Sequence, residues 1–286
     1  MISLRVPFPR RNYQSSRFVN RMTETPLIEI ENASYQAGGF RILDNVSWQV
    51  DPGQHWAVVG PNGCGKTTLL RLAAGYIWPN IAGTVRRCGH EQLDLRELRR
   101  KIGWVSNTDS NRVPRDEYVL NTVVSGRFAQ LGLQPLDWDP PLPEDFDRAM
   151  DCLHMLGCEE LVEKQFGVLS QGEQQNVMVT RARMADPLLL ILDEPCDGMD
   201  PGARERFLMG LEKLLKSPDT PTLVLVTHHI EQIIPQIQNT LVMADGKINQ
   251  RGSSSEILTP DRLSEVYGVP VSRVIEERGR FWPLWR

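Results

Sequence analysis

Apolar and polar positions alternate along residues 27–35 and again along 41–50, as they do in half-buried strands, and Gly38-Gly39 between them predicts a hairpin turn. A short apolar run at 55–59 ends at a glycine, and residues 66–76 follow with helical spacing, so this stretch predicts strand, loop and helix. Strands are predicted at 83–88 and 101–105, with a short charged helix at 93–100 between them. From 108 to about 167 the character changes. Helical spacings at 117–131 and 144–156 flank a proline-rich stretch at 134–143, which predicts an all-helical subdomain inserted into the chain. After it come a helix at 172–184, a wholly apolar strand at 188–192, a helix at 203–216, a strand at 222–226, a helix at 230–237 and a strand at 240–243. Strands alternating with helices predict an α/β fold: a mostly parallel sheet covered by helices on both faces, with the first hairpin as an antiparallel β edge. No internal repeat is present, so one such unit is expected.

Composition narrows this picture in three places. No apolar run reaches 18 residues, which excludes a simple membrane-spanning helix. The five cysteines form no CxxC pair and no metal-like spacing with the five histidines, so a reduced, cytosolic chain is expected. Net charge is −4, but residues 1–23 hold five arginines and no acid, leaving 27 basic against 36 acidic residues in the remainder. Residues 1–25 therefore read as a basic, disordered tail, with an organelle transit segment or a start at Met22 as alternatives. The expected organisation is this tail, a domain over 26–255 containing the helical subdomain (108–167), and an extension over 256–286. The acidic body shows no basic stripe, and direct nucleic-acid contact is not expected.

The chemistry is concentrated in a few segments. Gly60, Pro61, Asn62, Gly63, Cys64, Gly65, Lys66, Thr67 and Thr68 fit GxxxxGK[ST] between an apolar strand and a helix. Glycines let the backbone N–H groups converge on phosphate oxygens, and the helix start turns its positive end to the same point. Lys66 is placed to reach β- and γ-phosphates and the Thr67 hydroxyl to ligate Mg²⁺. The apolar strand at 188–192 runs into Asp193-Glu194-Pro195. Asp193, at the strand end, is a candidate Mg²⁺ ligand, and Glu194 a candidate base for an attacking water. Different environments can separate the pKa values of two adjacent acids.

The order of motifs resembles that of the ABC ATPase family. Leu169-Ser-Gln-Gly-Glu173 is similar to its signature sequence, Gly198-Met-Asp200 to its D-loop, and Thr227-His228 to its switch histidine, while Tyr35 matches its adenine-stacking aromatic. The resemblance covers roughly residues 27–255 and implies a P-loop NTPase core that binds ATP and Mg²⁺ and hydrolyses ATP. It also implies a dimer, either of two copies or with another ABC subunit. In it the P-loop of one subunit faces Ser170 and Gly172 of the other, Asp200 lies at the interface, and His228 bridges γ-phosphate and water. One position departs from the pattern: where the family carries a glutamine that contacts Mg²⁺, this chain has Asn107, with Asp109 and Ser110 at the alternative registers. Residues 121–133 resemble segments of ATPases from metal-, siderophore- and molybdate-type importers. The expected role is therefore to energise a separate membrane permease from the cytoplasmic face. The alternatives are a soluble ATPase acting on ribosomes or nucleic acid, or a nucleotide-dependent regulatory module. His55, His90 and His154 match no motif and are expected to be structural.

Overall fold

The structure, a computed structural model, describes residues 25–92, 94–134, 138–217 and 219–286. The basic segment 1–23 lies outside them. Strands β1 (Ile28–Ala37) and β2 (Phe40–Val50) form the hairpin that the alternation predicts. The short apolar strand β3 (Trp56–Val59) leads through the glycine-rich loop to α1 (Lys66–Ala73), and β4 (Ala82–Arg87) pairs antiparallel with β1. The chain continues through α2 (Leu95–Lys101), β5 (Ile102–Ser106) and the single turn α3 (Asn107–Ser110). A stretch follows that carries α4 (Val119–Val124) and α5 (Pro143–Met155), and α6 (Gln171–Arg183) returns toward the sheet. Next come β6 (Leu189–Asp193), α7 (Pro201–Leu215), β7 (Thr222–Thr227), β8 (Asn239–Ala244) and β9 (Lys247–Ser253). The C-terminal part holds α8 (Ser254–Ile257), α9 (Pro260–Tyr267) and a hairpin of β10 (Val271–Glu277) with β11 (Arg280–Trp285).

The central sheet has the order β5-β6-β7-β3-β8-β9. All neighbours are parallel except β9, which runs antiparallel to β8. Its wholly apolar strands are divided between two cores by the period of two. Ala57, Val59, Leu190, Leu192, Leu223 and Leu225 face one core, with α4, α5, α6 and α7. Trp56, Val58, Leu189, Ile191, Val224 and Val226 face the other, with α1 and the small β2-β1-β4 sheet. The register sets strand ends level: Ser106 lies beside Asp193, Asp193 beside Val226, and Val59 beside Thr227. The C-terminal ends of β3, β5, β6 and β7 therefore form one rim, where open α/β sheets bind their ligands.

Two expectations are corrected. Residues 230–237 are not an α-helix: only Ile230–Gln232 form a 3₁₀ turn, and Pro235 cannot donate to continue it. The helix expected over 117–131 is α4 followed by a 3₁₀ turn, Ser125–Phe128, which ends at Ala129 in the left-handed region (φ +55°). The stop has a packing cause. Gly126 lies against the backbone carbonyl of Arg181 on α6, so close that a side chain there would collide with it. Beyond residue 255 the chain folds back, with Leu263, Val266, Val271 and Phe281 buried in the same core as α6 and α7.

Candidate functional site

The loop between β3 and α1 is shaped by two glycines in conformations that L side chains rarely adopt. Gly60 has φ +150° and Gly65, the N-cap of α1, has φ +105°. A Cβ at Gly60 would drive into the backbone carbonyl of Met243 at the end of β8. One at Gly65 would meet the Ile42 carbonyl at 3.0 Å and Leu43 Cδ2 at 3.2 Å. The loop is thus wedged between the central sheet and β2. Tyr35 pairs with Leu43 across the β1–β2 ladder, which brings the aromatic edge to the same wall.

Lys66 is buried, 5% exposed, and its Nζ donates to the carbonyl oxygens of Gly60 (2.9 Å) and Pro61 (3.0 Å). Thr67 Oγ1 donates to Asp193 Oδ1 at 3.3 Å across the gap between α1 and β6. Burial pushes the Asp193 carboxyl above its usual range, opposed by the Thr67 hydrogen bond and by Arg71 and Lys66. A hydroxyl beside a carboxylate that needs a countercharge is a set of hard oxygen donors, and it fits Mg²⁺.

Glu194 is held with φ +50°, an uncommon conformation for a residue with a Cβ, by its N–H bond to the Val226 carbonyl (3.1 Å) on β7. The carboxylates of the two adjacent acids meet different partners: Asp193 meets Thr67, and Glu194 meets Lys66 and His228. Oε1 lies 3.7 Å from Lys66 Nζ and Oε2 lies 3.2 Å from His228 Nδ1, although that imidazole nitrogen is out of line for a hydrogen bond. The constellation arises because β3 is inserted beside β7, so the loops after β3, β6 and β7 meet.

The remaining expected residues are placed differently. Ser170 is the N-cap of α6: its side chain and that of Glu173 form a reciprocal capping box, with Ser170 N donating to Glu173 Oε2 at 2.8 Å. Gly172 is buried on the first turn, where an added Cβ would just touch Ala203 of α7 (3.4 Å). Asp200 caps α7 by accepting from the Ala203 N–H at 2.9 Å, and that bond holds its carboxyl below the usual range. Among the described residues no hydrogen bond joins Ser170, Gly172 or Asp200 to the glycine-rich loop. These helix starts are open to solvent at Ser170 and Asp200.

Asn107 has both ends of its amide engaged within the protein. Its Oδ1 accepts from Gln175 Nε2 at 2.5 Å, and its Nδ2 lies 3.4 Å from the Glu194 carbonyl. It therefore links α6 to the turn carrying the candidate base. A shorter side chain at the start of α3 leaves the wall facing Thr67 and Asp193 to Ser106, Thr108 and Asp109. Two further features escaped the sequence reading. Asp197 shares a hydrogen bond with Glu194, and burial together with that contact pushes its carboxyl up. Only its closeness to the Asp193-Glu194 pair hinted at this. The second is a groove of about 950 Å³ between the sheet edge and the helical stretch, lined by Arg71, Arg99, Arg100, Arg112 and Arg181. The sequence shows no basic stripe because these arginines come from α1, α2, α6 and the loop after α3 and form no run; only the fold gathers them.

The chain matches the family described as ABC transporter over residues 43–197. It is 35% identical to the uncharacterised ABC transporter ATP-binding protein YlmA of Bacillus subtilis, covering 86% of this chain and 92% of that protein. It is 32% identical to the sulfate/thiosulfate import ATP-binding protein CysA of Rhodopseudomonas palustris, covering 84% of this chain and 67% of that one. Among solved structures it resembles the ADP conformation of the ATP-binding cassette MJ1267 with a TM-score of 0.71 at 25% identity, covering 85% of this chain and 98% of that one. It also resembles the dimeric post-hydrolysis state of the cassette MJ0796, bound to ADP and Pi, with a TM-score of 0.64 at 26% identity, covering 79% and 98%. With the phosphate cradle, the strand-end carboxylates and the signature helix in one fold, the chain belongs to the ABC transporter family as an ATP-binding and ATP-hydrolysing subunit.

Proposed function

We propose that two copies of this subunit, or one copy and a related subunit, close on ATP and drive transport through a separate membrane permease. The carrying observation is Glu194, held at a left-handed backbone angle between Lys66 and His228 at the mouth of the phosphate loop. Lys66 and the loop amides bind the β- and γ-phosphates, and Tyr35 offers its ring to adenine. Thr67 and Asp193 hold Mg²⁺, which when bound offsets charge on the transferring phosphate. Glu194 accepts the proton of the attacking water, and His228 orients that water against the γ-phosphate. The open N-termini of α6 and α7 supply Ser170, Gly172 and Asp200 to the second subunit's nucleotide, which supports a site completed only on dimerisation.

The groove supports the permease contact. Arg71, Arg99, Arg100 and Arg112 are exposed, Arg112 with its side chain 69% accessible and 3.6 Å from Asp109. Arg99 lies over the Tyr76 ring at 5.8 Å. Arg181 is buried, donates to Ser125 Oγ and the Gln130 carbonyl, and is pushed down to about 10 by burial. Among the described residues no carboxylate lies within ion-pair distance of Arg181. Such a groove suits an acidic segment of a membrane partner, and the subunit works against the inner face of the membrane. No helix among the described residues is long and apolar enough to cross it.

The test combines hydrolysis and coupling. Lys66→Ala should abolish Mg²⁺-dependent ATP hydrolysis, and turnover at the parent rate would overturn the site. Arg99→Glu with Arg112→Glu should leave hydrolysis by the free subunit unchanged and abolish co-purification with the permease. Retained co-purification would overturn the groove assignment.

A further inference from the structure

Asp197, His228 and His229 form a second constellation beside the nucleotide site. Their ligating atoms all lie within 4.8 Å of one another. The two imidazoles come from the loop after β7 and the carboxylate from the turn after β6, two segments brought together by the parallel β6–β7 register. The rings of His228 and His229 lie against each other, with centroids 4.2 Å apart and planes tilted by 41°. His228 Nδ1 is buried without a hydrogen-bond partner. Asp197 is crowded by Glu194, and its carboxyl is pushed up first by burial and then by that neighbour. An imidazole nitrogen that makes no hydrogen bond, 3.2 Å from Glu194 Oε2 and beside a second carboxylate, is a local electrostatic environment that a cation relieves.

The geometry points to an inhibitory Zn²⁺ site formed by Asp197, His228 and His229. Two nitrogens and one oxygen are borderline donors that suit Zn²⁺, whereas Mg²⁺ requires oxygen ligands in octahedral array. Tetrahedral coordination with bonds of about 2.0–2.2 Å places ligand atoms roughly 3.3 Å apart, so small rotations of three half-buried side chains close the set. The three ligands leave a fourth position for water. Second partners are in place. His229 Nδ1 lies 3.2 Å from Glu231 Oε1, which itself lies 3.6 Å from Arg204 Nη1. An imidazole committed to Zn²⁺ cannot orient water at the γ-phosphate, so occupancy stops turnover without displacing Mg²⁺ from Thr67 and Asp193. This consequence rests on the role proposed for His228, but the binding itself does not.

The experiment separates the two. Zn²⁺ is titrated into the nucleotide-free chain against a chromophoric chelator, and Co²⁺ is used as an absorbing substitute. One equivalent is expected, with a tetrahedral nitrogen–oxygen Co²⁺ spectrum. His229→Phe keeps a ring packed on His228 and removes both nitrogens. It should weaken Zn²⁺ binding by about 100-fold or more, since even supporting residues of metal sites cost tenfold to 100-fold. Asp197→Asn should weaken it comparably. In hydrolysis assays at excess Mg²⁺, Zn²⁺ should inhibit the parent reversibly and leave His229→Phe at its parent-like rate. Zn²⁺ affinity of His229→Phe within a few-fold of the parent would overturn the site, as would a thiolate charge-transfer band from Co²⁺ bound at cysteine. Stoichiometric binding without inhibition would instead refute the role given to His228.

Discussion

Replacing Glu194 by glutamine tests the hydrolytic chemistry with little disturbance of the fold. The amide has the shape of the carboxylate, and both residues meet the same backbone demand at φ +50°. The charge removed faces Lys66 at 3.7 Å, but Lys66 Nζ keeps its bonds to the Gly60 and Pro61 carbonyls at 2.9 and 3.0 Å. Glu194 is about a quarter exposed, 24% at its side chain, so the lost pairing costs at most about 1 kcal/mol. Loss of a general base costs about 10²–10⁴ in rate, or roughly 3–5 kcal/mol of activation free energy. The two magnitudes are well separated. Glu194→Gln should therefore unfold within about 1 kcal/mol of the parent, bind ATP and dimerise in its presence, and turn over at least about 100-fold more slowly. Steady-state phosphate release, ATP binding by fluorescence and sizing by light scattering measure the three properties. Turnover within a few-fold of the parent would refute the assignment of the base, because no compensating loss of fold or binding is available to explain it.

Asp193→Asn tests the metal carboxylate through stability. Burial raises the folded pKa of Asp193 above its unfolded value, so the folded state binds the proton more tightly. The ionised residue therefore penalises the fold progressively as pH rises through the interval from the ordinary carboxylate value to the raised one. At neutral pH without Mg²⁺ the asparagine variant should melt at or above the parent temperature, and only the parent should gain Tm from Mg²⁺-ATP. A lower Tm for the variant in Mg²⁺-free solution would contradict this. Gly60→Ala should cost about 2–4 kcal/mol in urea unfolding and abolish ATP binding, because the methyl meets the Met243 carbonyl and, at 3.0 Å, Cys64 Sγ. An unchanged midpoint would show that the loop can relax. Arg280 on β11 pairs with Glu205 at 2.6 and 3.2 Å and donates to the Glu231 carbonyl at 2.5 and 3.2 Å. Arg280→Met should lower stability by about 1–3 kcal/mol and raise amide exchange at 230–233, the turn beside His228. Unchanged exchange there would show that the C-terminal hairpin does not brace the turn.

Much of the site was legible because its parts are local. Strand, glycine-rich loop and helix are contiguous at 56–73, and the backbone freedom required there is recorded as glycine at 60 and 65. The wholly apolar run into Asp193 marks a strand buried on both faces, and a carboxylate at its end can only lie on the rim. Elements failed where neighbours overruled local preference. Residues 117–131 have helical spacing, but the backbone approach of Gly126 to Arg181 breaks the helix. Residues 230–237 are apolar enough for a helix, yet Ile230, Ile233, Ile234 and Ile237 are all buried through an irregular path that Pro235 prevents from coiling regularly. Asn107 shows the same limit for a side chain. The hydrogen bond its amide oxygen accepts from Gln175, on another helix, cannot be read from the local sequence.

The sequence by itself therefore determined the phosphate cradle, the two adjacent acids and the alternating α/β order, because each depends on residues within a turn or two of one another. Tertiary structure decided which of them meet. Inserting β3 between β7 and β8 sets Lys66, Glu194 and His228 on one rim. Packing α6 against β5 and α3 gathers arginines from distant segments into one groove and commits Asn107 to Gln175. Such encounters depend on strand order and helix docking, and a one-dimensional pattern of apolar and polar positions carries neither.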